Sequence, residues 1–192
     1  MKRVCVYCGS RDGDDPAFAA AAETVGAGIA RSGMGLVYGA GDVGLMGRVA
    51  TAAMAAGGDV LGVIPQHLLA LEIGKRDLSE LVVVNTMHER KMIMFDRSDI
   101  FVALPGGPGT LDELIELLTW RQLGLHSKPA HLLNLDGYWD PLLALLNNTV
   151  DRGFCGESFL ARWQNNHLHA AEDRKHHVVN NSYHVSSSVL SD

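Results

Sequence analysis

Short apolar runs alternate with longer helical stretches along most of the chain. Apolar runs bounded by Gly or Pro are typical of strands that are buried on both faces of a sheet. Strands are predicted at residues 3–7, 35–38, 59–64, 81–84, 99–104 and 130–134. Helices are predicted at 15–32, 45–56, 86–97 and 138–152, with a further helix ending near residue 123. This alternation predicts an α/β fold whose parallel sheet is covered by helices on both faces.

The periodic pattern is lost from about residue 164 onward. Asn, His and Ser dominate there, and no helical or alternating period is sustained. Such a composition buries little apolar surface. We therefore predict a single domain over residues 1–160 and a disordered or atypical C-terminal tail, native or not, over 161–192.

Composition and charge restrict the classes of partner. The 192 residues are 47% hydrophobic and 20% charged, which suits one domain with a full core. A net charge of −6 without a Lys/Arg run disfavours a nucleic acid or an anionic membrane. No stretch suits a membrane span or a signal peptide. Three cysteines, an odd number, indicate a reducing compartment, so a cytoplasmic location is predicted.

A first glycine-rich turn follows the second predicted strand. Gly39, Gly41 and Gly44 have the spacing of a dinucleotide fingerprint, with Asp59 twenty residues further on. However, the turn does not follow the first strand, and Asp59 opens its strand instead of closing it. Anion binding at a helix start is therefore favoured over NAD binding, and a tight packing turn is the alternative.

A second glycine-rich turn, PGGPGTLDE at residues 105–113, joins the fifth strand to a helix. Its glycines and prolines fix an unusual backbone path, and the helix start offers N–H groups to an anion. The turn lacks the Lys and the following Ser/Thr of a nucleoside-triphosphatase loop. This absence favours a monophosphate as the ligand.

Two charged positions near these turns allow alternative interpretations. The spacing Thr110-x-x-Glu113 matches a capping box, which periodicity alone favours. Glu113 would instead serve chemistry if it faced the sugar, where positive charge develops as a glycosidic bond breaks. Arg90 and Lys91 either hold phosphate or ribose oxygens or form a solvated charge cluster.

Metal and cofactor chemistry has little support in the sequence. Cys5 and Cys8 lie three residues apart on a predicted strand, so their thiols point to opposite faces. The clustered histidines all fall in the predicted tail: His167, His169, His176, His177 and His184. We therefore predict no metal site and no cofactor.

Six stretches taken together resemble one enzyme family. They are Cys8-Gly-Ser10, residues 38–41 with 44–47, Met87-His-Glu-Arg-Lys91, the PGGxGTxxE pattern at 105–113, residues 119–126 and residues 133–138. The chain resembles the LOG ("lonely guy") cytokinin-activating phosphoribohydrolases, formerly labelled lysine decarboxylases. The resemblance covers about residues 3–155. No motif here supports the pyridoxal phosphate lysine that the older label predicts.

The resemblance implies a Rossmann-like subunit that forms a homodimer or a higher homo-oligomer and needs no cofactor. It implies hydrolysis of the N-glycosidic bond of a purine nucleoside 5′-monophosphate, AMP or N6-prenyl-AMP, to free base and ribose 5-phosphate. By motif position, Arg90 and Glu113 correspond to the catalytic pair. The substrate-binding positions are Glu72, Lys91, Gly107, Pro108, Gly109, Thr110, Leu111, Asp112 and Thr119, to which the glycine-rich stretches add Gly9, Ser10, Gly39, Gly41 and Gly44. AMP hydrolysis as the main role and a non-catalytic nucleotide sensor remain alternatives.

Overall fold

The computed structural model describes residues 1–69, 75, 77–156 and 159. Six parallel strands form one sheet in the order β4-β3-β2-β1-β5-β6. The strands are β1 (Arg3–Tyr7), β2 (Gly35–Tyr38), β3 (Val60–Pro65), β4 (Glu80–Val84), β5 (Ile100–Ala103) and β6 (Ala130–Leu132). The predicted parallel α/β sheet is confirmed, and the strand bounds differ from the prediction by a few residues at most.

The helices are α1 (Pro16–Arg31), α2 (Gly44–Ala55), α3 (Gln66–Leu69), α4 (Met87–Asp96), α5 (Pro108–Gln122) and α6 (Asp140–Asp151). The short α3 and a 3-10 turn at Leu135–Gly137 were not predicted. The last helix begins at Asp140 instead of residue 138, and it follows a turn in which Asp136 and Gly137 have positive φ angles. Of the described residues, none belongs to a helix with the length and apolarity that crossing a bilayer requires. The predicted tail, residues 161–192, lies outside the described residues.

Helices cover both faces of the sheet and form two apolar cores. Val4 and Val6 of β1 pack with α1 and α2, whereas Cys5 and Tyr7 face the side of α4, α5 and α6. This separation follows from the period of two along a strand. Cys8 belongs to the first core and Cys5 to the second, so the predicted divergence of the two thiols is confirmed.

Helices α1 and α2 touch each other closely at Gly26. A Cβ atom at this position would overlap with the backbone carbonyl of Val49 on α2. Helix α1 is held at its own start by Asp15, whose carboxylate accepts a hydrogen bond of 2.8 Å from the Ala17 amide. The two helices therefore pack backbone to backbone on the sheet.

The order of the strands creates a crevice beside β1. The chain runs outward from β1 through β2 and β3 to β4, and then crosses back to β5 on the other side of β1. The loops that leave the carboxyl ends of β1 and β5 consequently run to opposite faces of the sheet. In open α/β sheets, such a switch point is where ligands bind.

Candidate active site

A cavity of about 530 Å³ occupies this switch point between the β1–α1 loop and the turn after β5. It is lined by Gly9–Asp14, Phe18, Leu45, Pro105–Pro108 and Tyr138. The Gly9 amide donates a hydrogen bond of 3.0 Å to the Pro105 carbonyl. A Cβ atom on Gly106 would lie only 2.8 Å from the Gly9 nitrogen. The two backbones can approach this closely because both residues are glycines.

The start of α5 leaves main-chain donors available at this cavity. Gly107 is the N-cap residue and makes no side-chain cap hydrogen bond, and Pro108 occupies the first helical position. The Leu111 amide donates to the Gly107 carbonyl at 3.1 Å, while Gly109 and Thr110 precede the first regular helical bonds. A Cβ atom on Gly107 or Gly109 would meet nothing within 4 Å. This helix start therefore combines open space with N–H groups that suit an anion.

The glycine-rich turn after β2 packs beneath the β1–α1 loop. Gly44 has a φ of +61°, and a Cβ atom there would overlap with the backbone of Ser10. The Met46 amide donates to the Gly9 carbonyl at 3.3 Å. Leu45 lines the cavity, whereas Gly39, Gly41 and Gly44 do not. The close packing of Gly44 corresponds to the alternative that the sequence had left open for this turn.

Asp59 lies at the amino-terminal edge of the sheet, opposite the crevice. It precedes β3, and its carboxylate accepts a hydrogen bond of 3.1 Å from the Arg3 guanidinium at the start of β1. A ribose-binding acid would have to stand at the carboxyl ends of the strands. This position disagrees with the dinucleotide interpretation.

Arg90 is a buried residue of α4. Its side chain is 7% exposed, and its guanidinium donates from Nε to the Val63 carbonyl at 3.1 Å and from Nη2 to the Gly39 carbonyl at 3.0 Å. A Cβ atom on Gly39 would overlap with Nη2. Gly39 thus makes room for the guanidinium, and the interpretation of Arg90 as part of a solvated charge cluster is wrong.

A capping box occurs at the start of α4 and not at the start of α5. Thr86 accepts a hydrogen bond of 3.1 Å from the Glu89 amide, and the Glu89 carboxylate accepts one of 3.2 Å from the Thr86 amide. The capping box predicted for Thr110 and Glu113 is wrong. Pro108 begins α5 early, so Thr110 lies in the first turn and Glu113 in the second.

Glu113 is a partly buried carboxylate near Arg90. Within the part of the chain that the structure describes, its carboxylate forms neither a hydrogen bond nor an ion pair. Burial raises its pKa from 4.5 to about 7, against the opposing effect of the Arg90 guanidinium. Burial, and then the charge of Glu113, raises the pKa of the Cys8 thiol. Glu113 therefore lies close to the carboxyl end of β1.

Lys91 connects α4 to α5 on either side of Glu113. Its ammonium group lies 3.1 Å from Asp112 and 3.0 Å from Glu116. Burial alone would lower the pKa of Lys91, but the hydrogen bonds to Glu116 and Asp112 raise it above its ordinary value. The ion pairs compensate the two carboxylates that flank Glu113. The Lys91 ammonium group is thus paired with Asp112 and Glu116 in this structure.

The other predicted positions differ in how close they come to the cavity. Gly9, Ser10, Gly107 and Pro108 line it. Thr110 is buried at the start of α5, and Leu111 packs against the second core. Thr119 lies further along the same helix, where its hydroxyl donates to the Ile115 carbonyl at 2.8 Å. Glu72 lies outside the described residues.

Tyr138 was not selected from the sequence, although it lines the cavity. Its hydroxyl donates a hydrogen bond of 2.6 Å to the Gly106 carbonyl. The adjacent Asp136-Gly137 pair is a turn signal between the strand predicted at 130–134 and the helix predicted at 138–152. That signal was the available indication that the chain presents a side chain here.

Fold and crevice together define a Rossmann-like α/β protein with a glycine-lined cavity at its switch point. A family model described as "Possible lysine decarboxylase" matches residues 46–177. The probable cytokinin riboside 5′-monophosphate phosphoribohydrolase LOGL1 of Oryza sativa subsp. japonica is 50% identical over 152 residues, which are 79% of this chain and 68% of that protein. The chain therefore belongs to this family, and the resemblance to LOG phosphoribohydrolases is confirmed.

Further comparisons agree with this assignment. The cytokinin riboside 5′-monophosphate phosphoribohydrolase LOG7 of Arabidopsis thaliana is 48% identical over 154 residues, which are 80% of this chain and 71% of that protein. The molybdenum cofactor binding protein of Rippkaea orientalis has a TM-score of 0.62 at 26% identity, and the match covers 77% of this chain and 86% of that one. The predicted Rossmann-like fold is confirmed.

Proposed function

We propose that this protein hydrolyses the N-glycosidic bond of an N6-modified adenine nucleoside 5′-monophosphate and releases the free base, an active cytokinin, and ribose 5-phosphate. The observation that carries the proposal is the state of Glu113. This carboxylate has no hydrogen-bond partner among the described residues, has a pKa of about 7, and lies one turn beyond an open helix start. The names of the relatives supply the reaction class.

The 5′-phosphate would bind at the start of α5. The amides of Gly109 and Thr110, together with the positive end of the helix dipole, attract a dianion without a lysine or a metal ion. Gly107 and Gly109 leave the space that a phosphate group needs. Binding energy from the phosphate then orients the ribose so that its anomeric carbon faces Glu113.

Glu113 would act on the ribosyl group. As the bond between C1′ and the base nitrogen breaks, its electron pair leaves with the base and positive charge develops on the sugar. An ionised carboxylate stabilises this charge, or it removes a proton from the water whose oxygen bonds to C1′. The proton ends on the departing base. A pKa near 7 suits a group that must give and take a proton at neutral pH.

Arg90 would keep the carboxylate functional. Its guanidinium is held by two main-chain carbonyls, and its charge lowers the pKa of Glu113 against the effect of burial. Without that charge, a larger fraction of Glu113 would be protonated and inactive at neutral pH. The attachment of Arg90 to β3 and to the residue that follows β2 gives this effect a fixed geometry.

Two alternatives can be separated by one assay. AMP hydrolysis as the main role differs only in the base, whereas a non-catalytic sensor binds nucleotide without releasing base. The molybdenum cofactor binding protein, which is similar in fold, is named for binding alone. Incubation with AMP and with isopentenyl-AMP, followed by chromatography, should yield free base, faster from the prenylated nucleotide. Glu113→Gln serves as the control. Saturable binding without any base release would refute the proposal and favour the sensor.

We also propose a homodimer and a cytoplasmic location. Large apolar side chains are exposed on and beside α4 and α5: Met87, Met92, Ile115, Leu123 and Leu125. Helices α4 and α5 are neighbours, since Lys91 pairs with Asp112, and large apolar side chains exposed on neighbouring helices agree with an interface. Sedimentation of the native chain should give twice the monomer mass, and Leu123→Glu should lower the measured mass toward that of the monomer. The three cysteines are free thiols, which agrees with a reducing compartment.

A further inference from the structure

We propose that Tyr138 is a positioning residue for the phosphate-binding turn, acting through the peptide group between Gly106 and Gly107. The proposal rests on the proposed function, since it assumes that the start of α5 receives the 5′-phosphate. Its basis is the hydrogen bond of 2.6 Å from the Tyr138 hydroxyl to the Gly106 carbonyl. Tyr138 also lines the cavity that this turn encloses.

Three residues of the turn, Gly106, Gly107 and Gly109, have no side chain that could make contacts to hold its conformation. Gly107 and Gly109 have open space where a Cβ atom would stand. Glycine has greater conformational freedom than any other residue, so ordering such a turn is entropically unfavourable. A hydrogen bond from a rigid neighbouring segment offsets part of that cost before the ligand arrives. Tyr138 supplies such a bond at the residue that precedes the helix cap.

The same hydrogen bond also acts on a main-chain amide of the turn, that of Gly107. The carbonyl of Gly106 and the N–H of Gly107 belong to one peptide group. No backbone carbonyl within the described ranges accepts from the Gly107 amide. A donor on the carbonyl oxygen polarises the peptide and strengthens its N–H as a donor, because hydrogen bonds in a chain reinforce one another. Tyr138 therefore both orders the turn and strengthens its Gly107 amide as a hydrogen-bond donor.

The segment that carries Tyr138 is built to present it. Asp136 has a φ of 49°, a region that non-glycine residues rarely adopt, and Gly137 follows with a φ of 75°. Asn134 fixes the far side of the turn: its side chain accepts from the Trp139 amide at 2.8 Å and donates to Asp140 at 2.7 Å. Because Trp139 is buried in the second core, the turn is anchored to the body of the protein.

Contacts of the ring also fix the direction of the hydroxyl. The Tyr138 ring lies edge-to-face against Phe18, with 5.8 Å between centroids, and against Trp139, with 5.0 Å. Such aromatic pairs favour one orientation of the ring. Replacing Tyr138 by Phe preserves these contacts and removes only the hydroxyl. This makes Tyr138→Phe a selective test of the hydrogen bond.

The test is calorimetric binding of AMP and of adenosine to proteins carrying Glu113→Gln, with and without Tyr138→Phe. We expect the Kd for AMP to rise about fivefold, the equivalent of roughly 1 kcal/mol for one hydrogen bond, and the Kd for adenosine to stay unchanged. In the active protein, KM should rise by the same factor while kcat is nearly constant. Tyr38→Phe is the matched control, because the buried Tyr38 hydroxyl has no hydrogen-bond partner among the described residues.

The outcomes separate this proposal from the proposed function. An unchanged Kd for AMP in Tyr138→Phe would overturn the positioning role, as would an equal loss for AMP and adenosine, which would indicate a general effect on the cavity. A matching loss in Tyr38→Phe would overturn it as well. If the native protein releases no base, the reaction is refuted. The comparison of AMP with adenosine still decides the role of Tyr138.

Discussion

Replacing Glu113 by Gln should remove most of the turnover and stabilise the fold at alkaline pH. The pKa of this carboxyl is about 7 instead of 4.5, chiefly because of burial. Each pKa unit corresponds to about 1.4 kcal/mol, so the ionised carboxylate costs the folded state up to ~3 kcal/mol. This figure is an upper limit, because the side chain is only partly buried and water screens its charge.

The dependence on pH follows from the direction of the shift. Below pH 4.5 the carboxyl is protonated in both the folded and the unfolded chain, so its environment has no net effect. Between 4.5 and 7 the unfolded chain ionises first, and the stability of the folded state decreases as the pH rises. Above pH 7 both states are ionised and the full cost is present. A Gln residue does not ionise, so the variant escapes this cost.

Thermal unfolding at pH 5 and pH 8 measures the effect. For a chain of this size, 1 kcal/mol corresponds to roughly 2–4 °C in Tm. We expect Glu113→Gln to raise Tm by about 5–10 °C at pH 8 and by much less at pH 5, while base release falls at least on the order of 10²-fold. Asp112→Asn is the control, since that exposed carboxylate is paired with Lys91 and should give no such gain. A lower Tm for Glu113→Gln at pH 8 would refute the reasoning.

Four further variants test other parts of the structure. In the native protein the Arg90 guanidinium lowers the pKa of Glu113, so Arg90→Met should raise this pKa and shift the acidic limb of the pH–rate profile to higher pH. An unchanged profile would show that Arg90 does not control the ionisation of Glu113. Gly39→Ala should displace the Arg90 guanidinium and reduce kcat/KM on the order of 10²-fold. A Cβ atom at position 109 has open space around it, so Gly109→Ala should raise the free energy of unfolding by up to ~1 kcal/mol. Asn134→Ala should lower the free energy of unfolding by about 2–3 kcal/mol in urea titrations, since it leaves the Trp139 amide without its partner.

Local pattern was sufficient to predict the elements of the fold. The strands β2 and β3 are short apolar runs that end at Gly or Pro and are fully buried in the parallel sheet, whereas β4 at the edge of the sheet is only partly buried. The carboxyl-end placement of the PGGPG turn also followed from strand–helix alternation. By contrast, the start of α5 was misjudged, because the spacing of Thr110 and Glu113 fits a capping box. Pro108, which pre-sets the first helical φ, begins the helix earlier.

Other parts of the site depend on contacts between residues distant in sequence. Arg90 sits in a run of polar residues that resembles a solvated helix start, yet its partners are carbonyls 27 and 51 residues away. Nothing in the local pattern reports that such carbonyls converge. Tyr138 was missed for a similar reason, since its partner Gly106 is 32 residues away. Glu72 was selected by resemblance alone, and it stays a prediction.

The contact at Gly26 predicts that ligand affinity depends on a residue outside the lining of the cavity. A methyl group there would act as a wedge between α1 and α2 and lift α2 from the sheet. The first turn of α2 supports Ser10 through Gly44, so the wedge would tilt the rim of the cavity. Directed-evolution libraries confined to cavity-lining positions would leave this determinant unsampled. The spacing of the helix pair is therefore a separate means of tuning affinity.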